Sequence, residues 1–346
     1  MTDDAVITAH VLTGFLGSGK TSLLKRLLAQ PALGDCAVLI NEFGEVGIDD
    51  ALVGEVRGDL VLLKSGCICC TIRGDLRDAM GDLYGRRQRG ELPPFRRMVI
   101  ETTGLADPAP IVSTVDADPM LRHHFRLGNL LTVVDAVNGI GNLDRFPETA
   151  KQAAVADRLI VSKIDLAPRP QIEALKARLA RLNPAAKILE LDESMAAPAA
   201  LLLDGLWAER GRHKTVAGWF DGAPDHGHAD RSRHGDIRAF CLTAERPLEW
   251  PAFALWLAML VNRHGADLLR VKGLLHLADA DSPVVIHGVQ HTIHAPLHLR
   301  AWPDGEPRTR LVVIARGLDG AALQRSFRAF MGPGAPAPVD QTPAWA

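Results

Sequence analysis

The chain has 346 residues, enough for two domains of roughly 100–200 residues each, and a hydrophobic fraction of 47% supports a sizeable core. A formal net charge of −2 leaves no footprint for nonspecific nucleic-acid binding, and no apolar run approaches the ~20 residues that span a bilayer. The start, Met1-Thr2-Asp3-Asp4, lacks the basic stretch of a secretory signal, so a soluble cytoplasmic protein is expected.

In chain order, the apolar run at 6–12 reads as a buried strand, and Leu23, Leu24, Leu27 and Leu28 are spaced as one face of a helix. Between them lies Gly14-Phe15-Leu16-Gly17-Ser18-Gly19-Lys20-Thr21, followed by Ser22, which fits the phosphate-cradling pattern G-x-x-x-x-G-K-[ST]. Glycines let backbone N–H groups turn inward toward phosphate oxygens, and the helix N-terminus adds partial positive charge. Lys20 is expected to reach the β- and γ-phosphates, and the Thr21 hydroxyl to ligate Mg²⁺.

A second short strand at 37–40 leads into an acidic, glycine-containing loop at 41–50, whose carboxylates, Asp49 among them, are placed to approach a cation or orient water. Then comes Gly66-Cys67-Ile68-Cys69-Cys70. The chain has five cysteines, and three within four positions make no disulfide framework. Thiolates are soft ligands suited to zinc or similar ions. Cys67, Cys69 and Cys70 leave a tetrahedral site one ligand short, with Glu42, Glu45, a histidine or a partner group as candidates for the fourth. Buried inert thiols and a thiol redox pair are the rival readings.

A third strand at 97–100 ends at Glu101-Thr102-Thr103-Gly104. A carboxylate at a strand end facing a P-loop is where a second Mg²⁺ contact is expected, and Gly104 lets backbone approach a γ-phosphate. Strands are also expected at 130–135 and 158–161, the latter running into Ser162-Lys163-Ile164-Asp165. This tetrapeptide is similar to the base-reading [N/T/S]-K-x-D element. The Asp165 carboxylate can accept from both guanine donors, and the Lys163 stem packs on the base. An amphipathic helix at 172–179 and a strand at 187–191 follow. Alternating strands and helices indicate a doubly wound, mostly parallel α/β sheet with ligand loops at the strand C-termini.

From 211 to 236 hydrophobic periodicity fades, and a linker containing His226, His228 and His234 is expected. Residues 237–332 read as a smaller α+β domain, with strands at 237–242, 268–277, 284–293 and 311–315, a helix opened by Pro251, and a last helix capped by Asp319. His287, His291, His294 and His298 are expected on a polar surface and Cys241 in the core, and the Pro/Gly-rich end at 333–346 is expected to be disordered.

These motifs, in this order, resemble those of the CobW-type metallochaperones, also called zinc-regulated GTPase metalloprotein activators. The resemblance rests on 14–21, Asn41-Glu42-Phe43-Gly44, Gly66–Cys70, residues 101–108 and 162–165, with 265–273 and 288–291 in the second half. It implies a P-loop GTPase domain at 1–210 and a CobW C-terminal-like domain at 237–332. It further implies GTP/GDP and Mg²⁺ as ligands, zinc or cobalt carried on Cys67, Cys69 and Cys70, and delivery to a client metalloprotein, with a homodimer as a candidate assembly. Asn is common where Ser162 stands, so reduced preference for GTP over ATP is expected. An ATP-dependent small-molecule kinase and a nucleotide-regulated thiol redox switch are the alternatives.

Overall fold

The computed structural model describes residues 6–40, 63–64, 72–192, 198–206, 212–220 and 237–332. They divide into two units, Met1–Leu179 with Ala186–Arg212, and Ala180–Ala185 with His213–Ala346.

The first unit is built on strands β1 (Ile7–Gly14), β2 (Cys36–Ile40), β3 (Leu63–Lys64), β4 (Arg97–Glu101), β5 (Phe125–Asp135), β6 (Arg158–Ser162) and β7 (Lys187–Glu190). They form one sheet in the order β3-β2-β4-β1-β5-β6-β7 with every pairing parallel. A parallel sheet covered on both faces needs strands that are apolar nearly throughout. Ile7, Ala9, Val11 and Leu12 of β1 accordingly have no exposed surface, nor do Met98, Val99 and Ile100 of β4. The helix Lys20–Leu28 buries Leu23, Leu24 and Leu27 against Val38, Val99, Leu131 and Ile160. Truncating any of these leucines to alanine would cost about 2–5 kcal/mol.

The pairing of β1 with β5 shifts register between Ala9 and Val11, and His10 sits at that irregularity. Its ring lies against Gly128, where a Cβ would come within 2.6 Å of Nδ1, and Nδ1 accepts a hydrogen bond from the Asn129 amide at 3.0 Å. Burial, assisted by the charges of Arg97 and Arg158, pushes the His10 pKa down to about 3, so the ring is neutral at physiological pH.

The second unit is an antiparallel sheet of β8 (Ile237–Ala244), β9 (Leu268–Leu275), β10 (Val284–Val289), β11 (Thr292–Ile293), β12 (Leu297–His298) and β13 (Thr309–Arg316). Its order is β11-β10-β9-β13-β8, with β12 also on β10. Helices Trp250–His264 and Gly320–Met331 cover one face, where Phe253, Trp256 and Phe327 pack on Phe240, Leu242, Val271 and Val313. The Trp256 and Phe327 rings meet edge-on at 5.1 Å. Asp319 caps the last helix by accepting from the Ala321 amide.

Four local expectations change. The run at 284–293 is a hairpin rather than one strand. It reverses at Gln290, which takes a positive φ of 50° without the usual Gly or Asn signal. His287 and His294 are buried and stacked at 4.3 Å instead of lying on a polar surface, because β10 is covered on both faces. Cys241 is half-buried rather than core: it sits on β8 at the sheet edge, on the side opposite Phe240 and Leu242. Within the expected linker, Arg212–Ala217 is a short helix, and Val216 and Trp219, three residues apart, are buried. The Trp219 ring lies 5.0 Å from the Lys272 ammonium, which itself donates to the Ala185 carbonyl at 3.0 Å.

Candidate functional site

Strand β1 runs into the glycine loop, and the dihedrals there are ones that side chains resist. Gly14, Gly17 and Gly19 have φ of 143°, 69° and 95°, and a Cβ on Gly14 would lie 2.3 Å from the Val133 carbonyl. Gly19 is the N-cap of the helix that begins with Lys20. The Lys20 ammonium folds back along the loop and donates to the carbonyls of Gly14 at 3.0 Å and Phe15 at 3.3 Å. Ser18 is buried within the loop, and Ser22 is exposed.

Because β4 is the neighbour of β1, Glu101 comes to the glycine loop from 80 residues away. The Thr21 hydroxyl donates to its Oε1 at 2.8 Å. The adjacent Thr102 is tied back to β1, its amide donating to the Leu12 carbonyl and its hydroxyl to Thr13 Oγ1 at 2.8 Å. Gly104 packs directly on the glycine loop: a Cβ there would be 2.5 Å from the Leu16 nitrogen. Asp107 then accepts from the Ala109 amide at 3.0 Å, just ahead of the helix Ala109–Ala117.

On the opposite flank, β6 delivers Ser162-Lys163-Ile164-Asp165. The Ser162 hydroxyl donates to the Ser18 carbonyl at 2.6 Å, so this residue braces the glycine loop from beneath. Lys163 adopts a left-handed φ of 54°, and its ammonium meets Asp135 Oδ2 at 2.7 Å. Asp165 is exposed, in the single turn Ile164–Leu166. Asp135, at the end of β5, also accepts from the amides of Val137 and Asn138. Burial pushes its carboxyl up, but bonds from Lys163, Asn138 and these amides outweigh burial and leave it below the ordinary carboxylate range.

The sequence reading missed Asp135, Thr13 and Gln152, which donates to the carbonyls of Gly104 and Ala106. Asp135 ends an apolar run, the position already used to pick out Glu101, so it was findable. Gln152 lies mid-helix with no motif around it. Asp49, Cys67, Cys69, Cys70, Glu42, Glu45 and the linker histidines His226, His228 and His234 lie outside the described residues. Among the described residues, no group of three or more His, Cys, Asp or Glu side chains is arranged to hold a metal. No helix among them is long and apolar enough to cross a membrane.

A parallel sheet with a glycine loop after its central strand, a Thr–Glu pair beside that loop and a lysine–aspartate turn on its flank define a P-loop GTPase. The family described as CobW/HypB/UreG, nucleotide-binding domain, matches residues 8–190, and the cobalamin synthesis protein cobW C-terminal domain matches 237–331. The chain belongs to the CobW family. It is 31% identical over 322 residues to the zinc chaperone YjiA of Escherichia coli, covering 93% of this chain and 98% of that protein. It is 32% identical to the zinc chaperone CobW of Pseudomonas aeruginosa, covering 94% and 91%. The crystal structure of zinc-bound YjiA GTPase superposes with a TM-score of 0.71 at 27% identity, covering 94% of this chain and 99% of that one. Neither the kinase nor the redox alternative is favoured by these matches.

Proposed function

We propose that this GTPase is a metallochaperone that carries zinc, or cobalt, on Cys67, Cys69 and Cys70 and passes it to a client metalloprotein under nucleotide control. The carrying observation is a register. Ile40 of β2 pairs with Glu101 on one side and with Lys64 on the other. The strand that leads to the cysteines therefore ends level with the carboxylate of the nucleotide site, two strand spacings or about 10 Å across the sheet. Relatives along nearly the whole chain bear the name zinc chaperone, and a zinc-bound structure exists for one of them, which supports the choice of cargo.

In this reading residues 1–210 carry the nucleotide chemistry and 237–332 form the second domain. The amides of 14–19 cradle phosphates, and Lys20 exchanges its bonds to the Gly14 and Phe15 carbonyls for phosphate oxygens. The Thr21 hydroxyl and the Glu101 carboxylate, already in contact, are hard oxygen donors that fit Mg²⁺. When bound, Mg²⁺ neutralises charge on the β- and γ-phosphates. Gly104 senses the γ-phosphate, and Asp49 orients water. With the Ser162 hydroxyl engaged by Ser18, selection of guanine falls on Asp165, and the Asp135 bond holds the Lys163 stem for the base.

The test is Zn²⁺ and Co²⁺ binding to wild type and to a Cys67→Ser, Cys69→Ser, Cys70→Ser variant, with GDP or a non-hydrolysable GTP analogue present. Thiolate-to-Co²⁺ charge-transfer absorption is expected in the wild type only, with an affinity that changes between the two nucleotides. Binding indifferent to both the cysteines and the nucleotide would overturn the proposal and leave a GTPase of another purpose.

A further inference from the structure

The helix Pro147–Val155 touches the nucleotide site at three points. At its start, the Phe146 ring packs on Phe15 of the glycine loop at 4.5 Å. Near its middle, the Lys151 ammonium lies 3.8 Å from Asp107. Next to Lys151 along the chain, the Gln152 side-chain amide donates to the Gly104 carbonyl at 3.1 Å and to the Ala106 carbonyl at 2.9 Å. Gln152 has no exposed surface, and its backbone carbonyl accepts from the Thr132 hydroxyl at 2.8 Å.

Only the NH₂ end of the amide can face two carbonyls, so its orientation is determined. That leaves Oε1 buried and without a hydrogen-bond partner among the described residues. A buried orphan acceptor costs stability, a cost offset by the two bonds that the NH₂ group gives to the Gly104 and Ala106 carbonyls. What the amide supplies is direction. In a trans peptide the C=O and the following N–H point opposite ways. Holding the Gly104 and Ala106 carbonyls therefore turns the Leu105 and Asp107 N–H groups away from the helix. Gly104, meanwhile, is pressed on its other side against the Leu16 backbone. The loop is gripped between the glycine loop and Gln152.

We propose that Gln152 is a positioning residue of the GTPase reaction. It sets the peptide planes of the loop that follows Glu101, and so acts on turnover and on the distinction of GTP from GDP rather than on nucleotide binding as such. This rests on the reading that this loop meets the γ-phosphate.

The test is Gln152→Met, which keeps length and burial but removes both donors, measured in the full chain for GTP hydrolysis and for GDP affinity. The expected result is a kcat lowered roughly tenfold with GDP affinity within about twofold of wild type. The preference for a non-hydrolysable GTP analogue over GDP should fall by a similar factor. An unchanged kcat, or a kcat and a GDP affinity that fall together as a merely structural lesion would make them, overturns the proposal. If the variant does not fold, Thr132→Val, which removes only the bond anchoring the helix at Gln152, should give the same split on a scale of roughly twofold to threefold; no split overturns the proposal equally. Gly104→Ala run in parallel separates the two levels. If it hydrolyses GTP at the wild-type rate, the reading of the loop has failed. If it is slow while Gln152→Met is not, only the role of Gln152 has.

Discussion

Replacing Gly104 by alanine puts the contact between the glycine loop and the loop after Glu101 under a defined load. The added Cβ would stand 2.5 Å from the Leu16 nitrogen and 2.7 Å from both its Cα and its Cδ2, against 3.4–4 Å for ordinary contact. Leu16 Cδ2 can swing away, but the backbone atoms cannot, so the loops must separate by about 0.9 Å, the difference between 3.4 and 2.5 Å. Overpacking of this kind costs about 1–3 kcal/mol of stability. A displacement near 1 Å at a reacting centre costs on the order of 100-fold in rate. The expected outcome is therefore a kcat/KM for GTP lowered about 100-fold with folding stability reduced about 1–3 kcal/mol in urea titrations. Gly141→Ala is the matched control. Gly141 lies in the helix Gly139–Arg145, and nothing stands within 4 Å of its Cβ position. That change should leave hydrolysis alone and add about 0.5–1 kcal/mol of stability. Wild-type kcat/KM in Gly104→Ala would refute the claim that the loop after Glu101 is seated on the glycine loop at the reacting centre.

His10 makes stability depend on pH. Its folded pKa of about 3 lies below the ordinary 6.5, so the unfolded chain binds more protons between these values and stability falls as pH drops through 6.5. Between pH 7 and pH 5 the loss from this one ring is about 2 kcal/mol, and His10→Gln should flatten the dependence by that amount in paired urea titrations; parallel curves for the two proteins would count against it. Asp135→Asn removes the charge that holds Lys163. It should weaken GDP binding by roughly tenfold and ADP binding by less, read by competition with a fluorescent nucleotide. Equal losses for both nucleotides would place Asp135 in general folding rather than base selection. Ser162→Ala frees the Ser18 carbonyl beneath the glycine loop, and should weaken GDP and ADP alike, by about fivefold in the same assay.

Much of the candidate site was legible because its parts are local. Gly14 to Thr21 is continuous, and its glycines answer to dihedral demands that act within a few residues. Glu101 and Ser162 each end an apolar run, and in a parallel sheet the carboxyl ends of the strands all lie on the same side. Solvent-face periodicity failed where a strand is covered twice. In β10 both faces are buried, so histidines written between apolar residues, such as His287, went inside with their neighbours. The hairpin at Gln290 escaped for a related reason, since its left-handed residue is not one of those that favour that conformation.

The sequence by itself determined which chemical groups the protein brings: a glycine loop, a strand-end carboxylate, a lysine–aspartate turn and a cysteine triplet, each encoded in a few adjacent residues. Which of them meet was decided only by the strand order β3-β2-β4-β1-β5-β6-β7. That order puts Glu101 against Thr21 across 80 residues, Ser162 under Ser18 across 144, and Gln152 behind Gly104 across 48. Side-chain periodicity along a strand records which face is buried, whereas the partner on that face is chosen by the path of the chain between strands, and no short pattern carries it.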